Sequence, residues 1–243
     1  MKVWGYTDVG RVRQSNQDAY YMEIIGGKQA ICVVCDGMGG AKAGNIASKL
    51  ATDAFVRHVK SILKPGMHCE SLKEMVSDSV FTANRSVHEM AASDASYDGM
   101  GTTLVSVLAA EDGLVVINIG DSRAYLLDKE GIRRITRDHS LVEDMVEMGE
   151  ITVEEAKEHP GKNLITRAIG TDEKVSGDIY TLPQEPGSYV LLCTDGLTNL
   201  VSDQEILYEV MYGGEPDGCC KRLAEIANSR GGYDNITAVL LAI

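Results

Sequence analysis

The chain has 243 residues, with 23 Lys+Arg against 36 Asp+Glu and a formal net charge of −13. Hydrophobic residues make up 44% and charged residues 24%, a globular balance that excludes disordered and collagen-like chains. The acidic excess argues against a nucleic-acid or anionic-membrane partner, and 5% aromatics supply no platform for stacked bases. At this length one domain over residues 1–243, with a small inserted lobe, is the expectation. The start, MKVWGYTDVGRVRQS, lacks the apolar stretch of a secretory leader. The longest apolar-plus-Thr run, Ile236–Ile243, is far short of the ~20 residues that span a bilayer. A cytoplasmic protein is expected.

Residues 2–8 and 19–25 predict strands, followed by Gln29–Cys35. Two helices come next. Ile46, Leu50, Ala54 with Ala47, Ala51, Phe55, Val59 recur at the helical period, as do Leu72, Val76, Ala83, Val87 and Met90. Met75 and Met90 read as core filler. From Thr102 the period falls to two. Thr102–Ala110 and Leu114–Ile119 flank a Glu-Asp-Gly turn, and Arg123–Leu127 and Ile132–Thr136 flank Asp128–Gly131, which predicts an antiparallel meander. Ser140–Met148 predicts a helix stopped by Gly149, and Thr152–Glu155 is a capping-box signature ahead of Pro160. Residues 138–163 therefore read as a lobe inserted between strands. Strands near 175–182 and over Tyr189–Thr194, helices near 203–211 and 217–229, and a last strand Ile236–Ile243 complete the chain. The fold class expected is α+β: antiparallel sheets covered by helices on both outer faces.

Six cysteines are present. Cys32 and Cys35 lie in the strand-like run ICVVC, where residues three apart point to opposite faces and cannot grip one metal. No second Cys-x-x-Cys completes a zinc site, so buried thiols in a reducing compartment are expected, with Cys219-Cys220 in helix packing.

The carboxylates carry the chemical signal. Asp36 ends ICVVC and precedes Gly37; Asp195 follows YVLLCT and precedes Gly196; Asp121 follows VVINIG; Asp234 precedes NITAVLLAI. A carboxylate at a buried strand end is costly to desolvate unless paired or bound to a cation. Strand ends of one sheet can bring such residues together. Oxygen ligands without a His or Cys cluster select Mg²⁺ or Mn²⁺ over zinc. Singly, each Asp could instead cap a turn, as Asp98-Gly99 and Asp112-Gly113 are expected to do. Arg11 and Arg13 precede Gln14–Asp18, and a guanidinium fork matches phosphoryl oxygens. Gly37–Gly44 is glycine-rich without dinucleotide or Walker spacing, and reads as a metal-site turn entering the first helix.

Gly10–Asp18, Asp36–Gly40, Gly101–Thr103, Gly120–Arg123, Asp138–Ser140, Cys193–Leu197 and Asp234–Thr237 together resemble, in order and over essentially the whole chain, the metal-dependent protein serine/threonine phosphatases. This is the PPM or type 2C family, and the compact length is similar to its bacterial branch. The resemblance implies a four-layer α-β-β-α sandwich with a binuclear centre at one edge. It implies that Asp36 bridges two Mn²⁺ or Mg²⁺ ions, that the Gly37 carbonyl takes one, and that Asp195 and Asp234 take the other. Asp121 with Asp195 matches a third metal site. Asp18 belongs with the metal residues and orients metal-bound water. Arg13 holds the substrate phosphate, and residues 138–165 match a mobile flap. On this pattern Arg13, Asp36, Asp195 and Asp234 are the catalytic set, and a metal-bridging water hydrolyses phosphoserine and phosphothreonine in proteins. The implied partners are phosphorylated proteins, with a serine/threonine kinase opposed indirectly, and the chain is expected to be a monomer.

Two positions depart from the pattern. Met38 stands where many eukaryotic relatives carry a His proposed as general acid, and Gln17 where many carry Glu. A metal-bound water is the expected proton donor, and His139 is expected to be structural. Rival readings are an inactive phosphoprotein-binding module, a phosphatase restricted to sigma-factor antagonists, and a carboxylate-pair glycosidase. The intact Asp and Arg positions argue against the first, the lack of sensor domains against the second, and Arg13 against the third.

Overall fold

The computed structural model describes residues 1–39 and 43–243. Gly40, which the aspartate-glycine motif includes, and with it residues 40–42 of the turn expected over Gly37–Gly44, lie outside the described residues.

Eleven strands among the described residues form two antiparallel sheets. The first contains β1 (Lys2–Asp8), β11 (Ile236–Ala242), β10 (Tyr189–Cys193), β7 (Arg123–Asp128) and β8 (Gly131–Arg134), in that order. The second runs β2 (Asp18–Ile25), β3 (Gln29–Met38), β5 (Leu104–Ala109), β6 (Leu114–Ile119) and β9 (Asp178–Leu182), with β4 (Gly101–Thr102) paired to the end of β3. Both sheets bury both faces, which is why ICVVC reads as a continuous apolar run. Ile31, Val33 and Cys35 point outward to a helical layer, while Ala30, Cys32 and Val34 point into the space between the sheets. The two thiols do face opposite ways.

The outer layer of the second sheet is α1 (Ala43–Ile62) and α2 (Cys69–Ser93). Ala47, Ala51, Phe55 and Val59 of α1 and Leu72, Val76, Ala83 and Val87 of α2 are buried against it. On the first sheet, Ile206 and Val210 of α6 (Asp203–Tyr212) and Leu223, Ala224 and Ala227 of α7 (Cys219–Ser229) fill the same role. Truncating one such buried Leu to Ala costs ~2–5 kcal/mol, because neighbours close the cavity only in part. All six cysteines are free and buried.

Several boundaries differ from expectation. The run Thr102–Ala110 breaks at Thr103, because Thr102 and Thr103 turn their hydrogen bonds onto Asp36. β8 ends at Arg134, and the Thr136 hydroxyl takes the Ala124 N–H where a ladder bond would have stood. Met75 is core filler, but Met90 is 36% exposed near the open end of α2.

The lobe over 138–165 holds α3 (Leu141–Glu147), capped by Ser140, and α4 (Val153–Glu158), begun by the Thr152–Glu155 capping box. Its two ends are stitched by the Ser140–Ile165 bridge and by the Thr166 N–H donating to the His139 carbonyl at 2.8 Å. Neither helix buries a residue, so the lobe has little apolar anchorage of its own.

Candidate metal centre

Both sheets supply the aspartates. Asp18 and Asp36 are cross-strand partners in β2 and β3 of the second sheet. Asp121 lies where the chain crosses from β6 of the second sheet to β7 of the first. Asp195 follows β10 and opens the short helix α5 (Asp195–Thr198), and Asp234 precedes β11, both in the first sheet. The aspartates come from the strand ends of both sheets, not of one alone, and the cleft lies across the seam at one edge of the sandwich. Asp36, Asp121, Asp195 and Asp234 line a cleft of about 690 Å³ together with Arg13 and Gly37. Asp18 is 6% exposed and outside that lining.

Each carboxylate is held by its neighbours. Asp36 is fixed through its backbone: its N–H donates to the Thr103 hydroxyl at 2.9 Å, and its carbonyl accepts from the Thr102 hydroxyl at 2.8 Å and the Thr103 N–H at 2.9 Å. The Asp36 side chain lines the cleft beside Asp195. Asp18 Oδ2 accepts from Thr237 at 2.6 Å and Thr194 at 3.0 Å, both from the opposite sheet. Asp195 Oδ2 accepts from Asn199 at 3.0 Å, and Asp234 Oδ2 accepts from Arg13 Nη2 at 2.7 Å. Asp18 Oδ1 and Asp195 Oδ1 are buried without a hydrogen-bond partner among the described residues.

This packing is electrostatically unfavourable. Burial pushes the Asp18 and Asp121 carboxyls up to about 7, with the Asp195 charge adding to both. Asp36 is pushed well above the usual carboxylate range by burial and by Asp18, and Asp195 is raised by burial and by Asp234. Among the described residues, Arg13 is the one cationic side chain that lines the cleft. Orphaned carboxylate oxygens in a cluster of like charges are what a hard divalent cation satisfies, and the all-oxygen donor set fits Mg²⁺ or Mn²⁺. The backbone fits too. A β-carbon on Gly37 would overlap the carbonyl oxygens of Gly44 and Gln17, so only glycine lets the chain pass here. Among the described residues no three His, Cys, Asp or Glu side chains form a ready-made ion cage. Asp234 is turned onto Arg13 and Asp18 onto two threonines.

His139 sits behind the cleft, not in it. The ring is 3% exposed; Nδ1 accepts the Gly120 N–H at 3.1 Å, and Nε2 lies 3.2 Å from Asp178 Oδ2. Burial lowers its pKa, so the ring is neutral, with its proton on Nε2 towards Asp178. Nearby, Arg123 grips the buried Asp138 with both Nε and Nη2, tying β7 to the lobe's root.

Arg13, Asp36, Gly37, Asp121, Asp195 and Asp234 are brought together, and Asp18 lies directly beneath. The supporting residues Thr103, Thr194, Asn235 and Thr237 fall inside the motif segments Gly101–Thr103, Cys193–Leu197 and Asp234–Thr237, but the sequence assigned none of them a role. Their signal was adjacency: each abuts or lies within a few positions of a motif aspartate or threonine, and each is a short polar side chain in an apolar stretch.

The family model described as Protein phosphatase 2C matches residues 10–226. The serine/threonine phosphatase stp of Listeria monocytogenes is 37% identical over 243 residues, covering 97% of this chain and 93% of the relative. The solved structure of Stp1 from Staphylococcus aureus, a serine/threonine phosphatase, superposes with a TM-score of 0.93 at 36% identity, covering 100% of this chain and 94% of the other. The catalytic domain of the phosphatase PstP, solved in complex with 2 manganese ions, superposes with a TM-score of 0.85 at 33% identity, covering 98% and 96%. The chain belongs to the PPM (type 2C) family of metal-dependent serine/threonine protein phosphatases. It is a protein phosphatase, and phosphorylated proteins are its substrates.

Proposed function

We propose that Arg13, Asp36, Asp195 and Asp234 carry the hydrolysis, with Gly37, Asp121 and Asp18 completing the site. One observation supports this most directly: four carboxylates from two sheets face one cleft that also admits a guanidinium. Asp36 is the candidate bridge between two cations, since its backbone is locked and its side chain lines the cleft beside Asp195. The Gly37 carbonyl would take one cation, and Asp195 and Asp234 the other. Asp121 with Asp195 would hold a third. Bound there, Mn²⁺ or Mg²⁺ would neutralise the phosphoryl oxygens and lower the pKa of an attacking water towards neutrality.

The protein's own groups do the rest. Arg13 is 52% exposed on its side chain and can swing its fork from Asp234 to the incoming phosphate. Asp18 Oδ1, orphaned below the cleft, is the acceptor that orients water. Met38 offers no proton, and no histidine lines the cleft among the described residues, so the leaving oxygen takes its proton from solvent within the site.

The reading extends to context. The chain is one phosphatase domain over 1–243 with a flap near 138–165, acts as a monomer in the cytoplasm, and opposes a serine/threonine kinase. The −13 charge supports substrates with basic residues around the phosphosite and argues against nucleic-acid or membrane partners. No helix among the described residues is long and apolar enough to cross a membrane. Turnover of para-nitrophenyl phosphate with Mn²⁺, with Mg²⁺ and with EDTA tests the metal role, and a phosphopeptide panel tests the basic preference. Turnover undiminished by EDTA would contradict the first, and a preference for acidic flanks the second.

A further inference from the structure

The segment that carries Arg13 has little to hold it. Residues 9–16 contain no helix or strand, and Val9 and Val12 are 37% and 61% exposed, so no apolar anchor pins them. One backbone–backbone bond from this stretch is present among the described residues, Arg11 N–H to the Gly232 carbonyl at 2.8 Å. The Gly10 N–H also donates to Asp8 Oδ1 at 2.9 Å and Asn16 Nδ2 to the Thr7 hydroxyl at 2.8 Å, both near the ends of the stretch. A loop with so few ties samples many conformations, and a mobile guanidinium binds phosphate at an entropic cost.

A single buried side chain offsets this. Asn235 is 3% exposed and makes two hydrogen bonds to the segment and a third to Gln17 just beyond it. Its Nδ2 donates to the Val9 carbonyl at 2.9 Å and the Ser15 carbonyl at 3.0 Å, and its Oδ1 accepts the Gln17 N–H at 2.8 Å. The three contacts fall on both sides of Arg13. Both amide hydrogens and the carbonyl oxygen are used, so the amide orientation is set by its partners. The backbone of Asn235 is also pinned: a β-carbon on Gly196 would overlap the Asn235 carbonyl, so the glycine after Asp195 permits that approach. Asp234, the preceding residue, accepts Arg13.

We propose that Asn235 is a positioning residue that pre-organises the Arg13 segment for the substrate's phosphate. It acts through Arg13 and does not itself touch substrate. The proposal rests on Arg13 as the phosphate-binding group. Buried polar groups bound at full valence specify one arrangement, and displacing a catalytic group by about 1 Å can cost ~100-fold in rate.

The test uses the Mn²⁺-loaded full chain with Asn235→Ala, Arg13→Ala and the double variant. Para-nitrophenyl phosphate turnover, the inhibition constant of inorganic phosphate, and the Mn²⁺ dissociation constant by calorimetry are measured for each. Both single variants should weaken phosphate inhibition about tenfold or more and lower kcat/KM, with Mn²⁺ affinity within threefold of wild type. In the Arg13→Ala background, Asn235→Ala should change phosphate inhibition by less than twofold. Full additivity, or a loss of Mn²⁺ affinity matching the loss of phosphate affinity, overturns the proposal. If Arg13→Ala leaves phosphate inhibition unchanged, the Arg13 reading falls and takes the proposal with it. If Arg13→Ala weakens it and Asn235→Ala does not, the proposal alone falls. Should Asn235→Ala fail to fold, Asn235→Asp replaces it: near-isosteric, it keeps Oδ1 for the Gln17 N–H and loses both donors, so the same outcomes apply.

Discussion

Asp18, buried, and Asp36, half-buried at the cleft, stand directly opposite each other across the antiparallel pair β2–β3, two like charges at a position where cross-strand neighbours normally attract. Such a pair destabilises a sheet unless protons or cations intervene. Burial accordingly raises both carboxyls, Asp18 to about 7. The fold therefore carries an electrostatic cost that metal binding relieves.

The first prediction concerns the metal-free protein. Asp18 and Asp121 titrate near 7 when folded but near 3.8 when unfolded, so the folded state binds more protons between those values. Stability in EDTA should fall as pH rises from 5 to 8. Over that window Asp18 alone accounts for on the order of 3 kcal/mol, about two pH units at 1.36 kcal/mol each. His139, whose pKa burial lowers, pulls the other way below its ordinary value of 6.5 and offsets part of the fall there, while Asp8 and Asp178, also lowered, act only below the usual carboxylate range, outside this window. Thermal melts across pH 5–8 check it. A melting temperature that rises over that range in EDTA would contradict it, as would a fall that persists in saturating Mn²⁺.

Asp36→Asn should separate stability from activity. Turnover with Mn²⁺ should drop by at least ~1,000-fold, equivalent to about 4 kcal/mol of barrier. In EDTA at pH 8 the variant should melt higher than wild type, because one of the opposed charges is gone. A variant less stable than wild type in EDTA would show the carboxylate to be a structural asset.

Arg13→Ala should cost little stability. The Arg13–Asp234 pair is 52% and 32% exposed, and such pairs contribute ~0–1 kcal/mol. The melting temperature should move by no more than ~2–4 °C. Activity should fall roughly 100-fold in kcat/KM, which steady-state kinetics would read.

His139→Ala should behave as the removal of a strut. Its ring joins Gly120, the neighbour of Asp121, to Asp178. Leaving the buried Gly120 N–H unpaired should cost about 1–3 kcal/mol. Because the ring is neutral and outside the cleft, the acid limb of the pH–rate profile should persist. A flattened limb would make His139 a proton donor.

Much of this was legible in the sequence. The helical and two-residue periods gave the elements because each helix and strand buries one stripe or face, and β3 betrayed its two covered faces as an unbroken apolar run. The aspartates were visible because ionisable residues at the ends of such runs are rarely neutral choices. Three things were not legible. That two sheets share the site follows from the β6–β7 crossing and the strand order, which no local pattern encodes. The break at Thr103 and the early end of β8 arise from hydroxyls replacing ladder bonds, a tertiary event. Asn235 and the Thr194–Asp18–Thr237 clamp depend on partners up to 226 positions away, so their side chains look ordinary until the chain closes on itself.

The central claim is that the seam between the sheets binds divalent cations by displacing protons from its aspartates. Isothermal titration of Mn²⁺ into the metal-free protein at pH 6.5, in two buffers of different ionisation enthalpy, measures affinity and proton release together. The account predicts binding accompanied by net proton release in wild type, with both weakened in Asp36→Asn. Heats that show no Mn²⁺ binding, or binding that releases no protons and is unchanged in Asp36→Asn, would contradict it.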